Sequence, residues 1–279
     1  MRIVFMGTPN YAVQILSTLH NSSSYEVVGI VTQPDKPVGR KKTLTAPPVK
    51  IWQATHASEV SLHQPSSLKT TEALSFIKSC KPEIIVVAAF GQILPEAVLS
   101  IAPCINLHAS LLPKFRGASP IQRAILEKEK YTGVTSMLMD KGLDTGAMLG
   151  FLVTTIAKDT TSAELFETLG KAAASLTIKT LDLWDKSLPI VQKNALSSYA
   201  GKITKEDGEI SFNLTADEIW TYFRALAPWP GIFLTSGLKI LDCKPSQLSS
   251  AKKAGTILKI EKEGAHIACK DGTIFIVCV

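Results

Sequence analysis

Short apolar runs alternate with stretches of helical spacing through the first half of the chain. Arg2 to Met6, Val27 to Thr32, Ile84 to Ala88 and Ile105 to His108 have the length and β-branched content of buried strands. Between them, segments such as Val13 to His20 space their apolar residues as a helix does. This alternation predicts an α/β fold with a parallel sheet. From Thr161 to Trp184 the spacing predicts one long helix, with Thr160 or Thr161 as cap and Glu164 placed as in a capping box, closing the first domain. From Asp185 to Thr204 the periodicity is lost and Ser, Pro, Asn and Lys gather, as in a linker. After it come ITKEDGEISF and a helical stretch, Thr215 to Leu226, interrupted by Pro228 and Pro230. LKILDC, GTILKIE, AHIACK and TIFIVCV then read as short strands between turn formers, predicting a small antiparallel barrel. The expected division is a first domain over 1–184, a linker over 185–203 and a barrel over 204–279.

Composition narrows the class. At 279 residues and 46% hydrophobic content the chain can bury a sizeable core. Its five cysteines are odd in number and scattered without C-x-x-C spacing, which suggests neither a disulfide framework nor a zinc site and favours a reducing cytoplasm. Met1 runs directly into RIVFMG with no leader pattern, and the longest apolar stretch, Ile84 to Phe90, is far too short to span a bilayer. We expect a cytoplasmic monomer with no membrane partner. The net charge of +6 is unevenly placed: between Gln33 and Lys50 the cations Lys36, Arg40, Lys41, Lys42 and Lys50 face one acid, Asp35, giving +4. From Thr204 onward nine basic residues balance nine acidic ones.

Candidate chemistry concentrates in CINLHASLLPKFRGASPIQRAI, Cys104 to Ile125, and MDKGLDTGAM, Met139 to Met148. Asn106 and His108 are two apart at the end of a predicted strand, so an amide and an imidazole leave the same face. A lone histidine is more often structural. Beside an amide, at a strand end, it could instead serve proton transfer next to an oxyanion donor. Arg116-Gly117 reads as a turn, and Ser119-Pro120 as a helix start with Pro first. Ligands of open α/β sheets bind beyond the carboxyl ends of the strands, which fits this order. GTPNYA is no dinucleotide fingerprint, since Pro9 and Ala12 stand where the second and third glycines belong; a nicotinamide oxidoreductase is excluded on that ground. It is a tight turn or a loop shaping an acceptor cleft.

RIVFMGTPNYA, TQPDKPVGRKKTLTAPPVK, VVAAFGQILP, NLHASLLPKFRGASPIQRAI, GLDTG and ALAPWPG together resemble the folate-dependent formyltransferases, in the family's order and over most of the chain. The resemblance implies a Rossmann-like catalytic domain followed by an OB-like barrel. It implies transfer of a formyl group from the co-substrate 10-formyltetrahydrofolate to the free amino group of methionyl-tRNA(fMet), for translation initiation, without a metal. It implies Asn106, His108 and Asp144 as catalytic residues, Asp140 being the internal competitor of Asp144. Asn106 and a protonated His108 would stabilise the oxyanion, and Asp144 would orient His108 and help move the proton. It implies a folate pocket walled by Phe90, Gly91, Gln92, Ile93 and Leu94 and by Ser110, Leu111, Leu112 and Pro113. Arg40, Lys41 and Lys42 lie in a long loop punctuated by Pro34, Pro37, Gly39, Pro47 and Pro48. On its own this is a solvated charge run; in the tRNA-acting branch of the family the loop enters the acceptor stem. Lys41 stands where many members have Gly and Thr43 where lysine is common, so the basic cluster is shifted by one. Members usually continue past the strand matching TIFIVCV, so an abbreviated second domain is expected. Trp229 is either a stacking platform or packing. The rival readings are a formyltransferase acting on a small amine, such as glycinamide ribonucleotide or an amino sugar nucleotide, and an RNA-binding module with a decayed core. The second would need one of Asn106, His108 or Asp144 replaced, and all three are present.

Overall fold

Fully buried runs of β-branched residues set the first sheet. In the computed structural model, which describes residues 1–39 and 41–279, IVFM of β1 (Arg2–Gly7) and IIVVA of β6 (Ile84–Ala88) are buried throughout. That pattern belongs to strands covered on both faces. The remaining strands in chain order are β2 (Glu26–Val31), β3 (Lys36–Val38), β4 (Thr43–Thr45), β5 (Leu62–His63), β7 (Cys104–His108), β8 (Arg116–Gly117), β9 (Tyr131–Leu138) and β10 (Met148–Thr155). They are followed by β11 (Tyr199–Ala200), β12 (Glu209–Ile210), β13 (Ile232–Leu234), β14 (Lys239–Pro245), β15 (Ile257–Ile260), β16 (Ala265–Ala268) and β17 (Thr273–Cys278). The helices are α1 (Asn10–His20), α2 (Pro48–His56), α3 (Thr71–Ser79), α4 (Glu96–Leu99), α5 (Pro120–Leu126), α6 (Ser162–Asp182) and α7 (Ala216–Leu226).

The chain divides into two compact units. The first comprises Met1–Gly117, Tyr131–Thr155 and Phe166–Tyr199; the second comprises Ala118–Lys130, Ile156–Leu165 and Ala200–Val279. In the first, seven strands run in the order β10-β9-β7-β6-β1-β2-β5, parallel from β7 to β5, with β9 and β10 antiparallel. Its core includes Val4, Met6, Val31, Ile77, Ile85, Val87, Phe90 and Leu94. The sheet builds outward to β2 on one side of β1 and to β6 and β7 on the other, so the strand order reverses beside β1. Such a switch point opens the crevice in which α/β proteins bind ligands.

The second unit carries a six-stranded sheet, β12-β13-β14-β17-β16-β15, antiparallel except for β12 with β13. Its chain order is mixed because α5 packs on α7, which draws 118–130 into this unit. The predicted capping box on α6 is present: Thr161 N donates to Glu164 Oε2 at 2.8 Å and Glu164 N donates to Thr161 Oγ1 at 3.3 Å. A second box, of Thr215 and Glu218, opens α7. Among the described residues no helix is long and apolar enough to cross a membrane.

Three local readings are corrected. The segment after β2 is not structureless, because β3 and β4 form a small antiparallel hairpin within it, pairing Lys36 with Thr45 and Val38 with Thr43. It also ends earlier than its last basic residue, since α2 begins at Pro48, where proline's missing N–H costs no helix bond. Arg116-Gly117 is extended rather than a turn, because Arg116 N donates to Ser198 O at 2.9 Å and Phe115 N to Ser198 Oγ at 2.9 Å.

Candidate active site

β7 lies beside β6, one strand away from β1, and its alternation sends Asn106 and His108 to one side, 9% and 6% exposed. Both meet Asp144, which arrives from the loop between β9 and β10. Asn106 Nδ2 donates to Asp144 Oδ1 at 3.3 Å, Gly117 N donates to Asp144 Oδ2 at 2.8 Å, and His108 Nδ1 lies 3.7 Å from the same Oδ2. Asp144 takes a left-handed backbone, φ +53°, which aspartate tolerates better than most residues. Asp140 is occupied otherwise: its Oδ1 accepts from Gly142 N at 2.9 Å and Thr145 Oγ1 at 2.7 Å, closing its own exposed turn.

The other ring nitrogen fixes the histidine's tautomer. His108 Nε2 is 2.9 Å from Phe115 O, and a carbonyl only accepts, so Nε2 carries the hydrogen. In the neutral ring Nδ1 is then a bare lone pair facing a carboxylate. A proton arriving at Nδ1 turns that opposition into an ion pair.

The two segments expected to wall a folate pocket flank Asn106 and His108 in sequence. Phe90 and Leu94 point into the core, 2% and 4% exposed, while Gly91 is open and Ile93 is 83% exposed. Gln92 is engaged inward, accepting from Leu68 N at 3.2 Å and donating to Pro65 O at 3.1 Å. In the second segment Ser110 is fully buried and donates to Lys114 O at 2.6 Å. Thr135 Oγ1 bridges, donating to Ser110 O at 2.7 Å and accepting from Leu112 N at 3.1 Å. Leu112 is buried; Leu111 and Pro113 are half-buried. Thr8 Oγ1 donates to Phe90 O at 3.0 Å, joining the turn after β1 to the loop after β6.

Lys41 and Lys42 are exposed between β3 and β4 of the hairpin; Arg40 lies outside the described residues. The other loop cations are held at its base. Lys50 pairs with Asp35 at 2.8 Å, and Lys36 donates to Gln33 Oε1 at 3.0 Å. Trp229 is exposed.

Two polar residues here had no sequence signal. Gln33, 9% exposed, keeps its Nε2 without a protein partner among the described residues, close to the open side of Gly91. Gln192, 5% exposed, donates to the backbone of the Asp144 loop from a stretch that reads as linker. Neither belongs to a periodic pattern, and partners 46 and 48 residues away in the chain leave no mark on local spacing.

Comparison with known proteins identifies the family. A formyl transferase family model matches residues 1–181, and a formyl transferase C-terminal domain model matches 202–279. A methionyl-tRNA formyltransferase of Campylobacter curvus is 50% identical over 279 residues, covering 100% of this chain and 91% of that protein. One from Nitratiruptor is 48% identical over 276 residues, covering 99% and 90%. Among solved structures, an N-formyltransferase from Helicobacter canadensis, in complex with folinic acid and dTDP-3-aminofucose, superposes with a TM-score of 0.71 at 18% identity, covering 99% of both chains. HypX from Aquifex aeolicus, in complex with tetrahydrofolic acid, gives 0.70 at 17% identity, covering 99% of this chain and 43% of that longer one. The likeness to these structures is one of fold. Family models spanning both units, together with relatives half identical from end to end, establish that this chain belongs to the formyl transferase family.

Proposed function

We propose that the protein transfers a formyl group from 10-formyltetrahydrofolate to the amino group of methionyl-tRNA(fMet), with Asn106, His108 and Asp144 as its catalytic residues. The observation that carries the reading is the convergence of an amide, an imidazole and a backbone N–H on one carboxylate at the end of β7. The relatives' names and the exposed basic hairpin support the choice of acceptor. We place the reaction in the cytoplasm and assign it to a monomer.

The exchange balances with no further reactant. The methionyl nitrogen bonds to the formyl carbon, the carbon's bond to N10 breaks, and one amine proton is passed on to N10. Negative charge gathers on the formyl oxygen. Asn106 spends one N–H on Asp144 and keeps a second for that oxygen, a donor of a kind worth about 2.7 to 4 kcal/mol. His108 takes the amine proton at Nδ1, because Nε2–H is committed to Phe115 O. The Asp144 charge beside it stabilises the imidazolium until the proton leaves for N10, directly or through water. The open backbone at Gly91, with Ile93 and the Ser110–Pro113 segment, would hold the folate by polar main-chain groups and apolar surface. Lys41 and Lys42, with Arg40, would meet phosphates of the acceptor stem.

Purified protein is incubated with 10-formyltetrahydrofolate and either charged initiator tRNA or a panel of small amines, glycinamide ribonucleotide and an amino sugar nucleotide among them. Formylation of the tRNA alone is expected. Turnover confined to a small amine overturns the assignment.

A further inference from the structure

Asp144 needs more than its own side-chain partners to hold its place, since it sits in a left-handed backbone conformation that costs energy for any residue with a Cβ. What fixes that backbone is Gln192. Its Nε2 donates to Asp144 O at 2.9 Å and to Gly146 O at 2.7 Å. Its Oε1 accepts from Arg116 Nε at 3.0 Å and Arg116 Nη2 at 2.7 Å. Both donors and both lone pairs of the amide are therefore used. The orientation is unambiguous: a guanidinium only donates and carbonyls only accept, so the flipped amide would lose all four bonds.

The segment that carries Gln192, itself part of the first unit, is pinned to its neighbours there. Ile190 and Met148 exchange two backbone hydrogen bonds, each 2.8 Å, and Arg116 donates a further bond to Asn194 Oδ1 at 3.0 Å. Arg116 immediately precedes Gly117, whose N–H binds the Asp144 carboxylate. One buried amide thus sets both the backbone that bears the carboxylate and the strand that supplies its backbone donor. The backbone at Gly146 passes close to β9, where a Cβ would lie 1.8 Å from Leu138 O.

We infer that Gln192 is a positioning residue for formyl transfer, acting through Asp144 and touching neither folate nor acceptor. The inference rests on the reading of Asp144 as catalytic. Misplacing a reacting group by about 1 Å costs roughly 10²-fold in rate. Gln192→Leu should accordingly lower the single-turnover rate at saturating folate and tRNA by about 10- to 100-fold, with both Michaelis constants within about twofold of the parent.

The decisive measurement compares Gln192→Leu in the parent and in Asp144→Asn. If the amide works through Asp144, its loss costs less than about twofold once the carboxylate is gone; a role confined to general packing multiplies the two losses. Gln192→Glu provides the control for folding. It keeps an oxygen for Arg116 but sets a second one against the carbonyls of Asp144 and Gly146, so the rate should fall in a protein that still unfolds in one cooperative thermal transition. The inference is overturned if Gln192→Glu, or a folded Gln192→Leu, keeps parental rate, if the loss falls wholly on a Michaelis constant, or if the losses multiply. Full activity in Asp144→Asn would instead remove the reading of the site itself, and the two failures are told apart by that single variant.

Discussion

His108 has both ring nitrogens assigned by their neighbours, and that makes its chemistry specific. With Nε2 held by Phe115 O, the ring is a base at one position only. His108→Ala, Asn106→Ala and Asp144→Ala should each lower turnover by about 10² to 10⁴, with combined losses far from additive. Steady-state rates at saturating substrates check this, and a His108 variant near parental activity would sink the mechanism. Gly91 tests the folate wall. Its φ of +84° lies where L side chains are strained, so Gly91→Val distorts the loop as well as obstructing it. Leu112→Asp places an unpaired charge where the parent residue is 7% exposed. Both should raise the Michaelis constant for the folate more than that for tRNA; calorimetric titration with an inert folate analogue that finds unchanged affinity in both variants would refute the placement. How legible these residues were follows from how each is held. Asn106 and His108 were readable because strand alternation alone puts them side by side. Spacing could not bring Asp144 to them across the 36 residues from His108, and only the family resemblance did so. Gln192 was invisible, since its value comes wholly from partners distant in the chain.

Elements that bury a full face were the legible ones. The apolar runs of β1, β6 and β7 and the capped helix α6 announce themselves because burial imposes their patterns. The β3–β4 hairpin has all its strand residues exposed, so no core dictates an alternation, and α2 buries only Val49. The same exposure leaves Lys41 and Lys42 open to solvent, where the proposed contact with a large acceptor can be tested. Replacing Arg40, Lys41 and Lys42 together by alanine should strongly reduce formylation of charged tRNA and flatten its salt dependence, each lost phosphate contact taking about one unit from the slope. Folate binding should be unchanged. Parental formylation across a salt series would remove the hairpin as the tRNA contact and favour a small amine. In the second unit, α7 depends on its Thr215 and Glu218 box. Thr215→Ala should cost about 0.5 to 2 kcal/mol in denaturant unfolding. The backbone N–H of Thr215 holds the Glu218 carboxyl below the usual range. A depressed folded-state pKa contributes stability above the ordinary carboxylate range and loses it as pH falls through the depressed value. Against Glu218→Ala, which lacks the carboxyl, the parent's advantage should therefore narrow in acid, and a gap that widens there would contradict the box as its source.

Across the whole molecule the five thiols report how completely the two units close around their cores. None is in a disulfide; Cys80, Cys104, Cys243 and Cys269 are buried and Cys278 alone is exposed. Burial disfavours the thiolate, the form that reacts. It pushes Cys104 up to about 12 and Cys269 to about 11, and raises Cys80 and Cys243 as well. Cys80 and Cys104 lie in the core of the first unit, whereas Cys243 and Cys269 belong to the second, so each unit carries two protected reporters. A native titration with a thiol-specific disulfide reagent near neutral pH should show one rapid thiol per chain, which Cys278→Ser removes. Denaturant should release all five. Because opening of either unit exposes its own pair, the slow thiols should appear in two groups whose rates separate when one unit alone is destabilised, as by Thr215→Ala. Under those conditions Cys243 and Cys269 should react faster while Cys80 and Cys104 keep their parental rates. Rapid reaction of two or more thiols in the native parent would show that the cores are not closed as described.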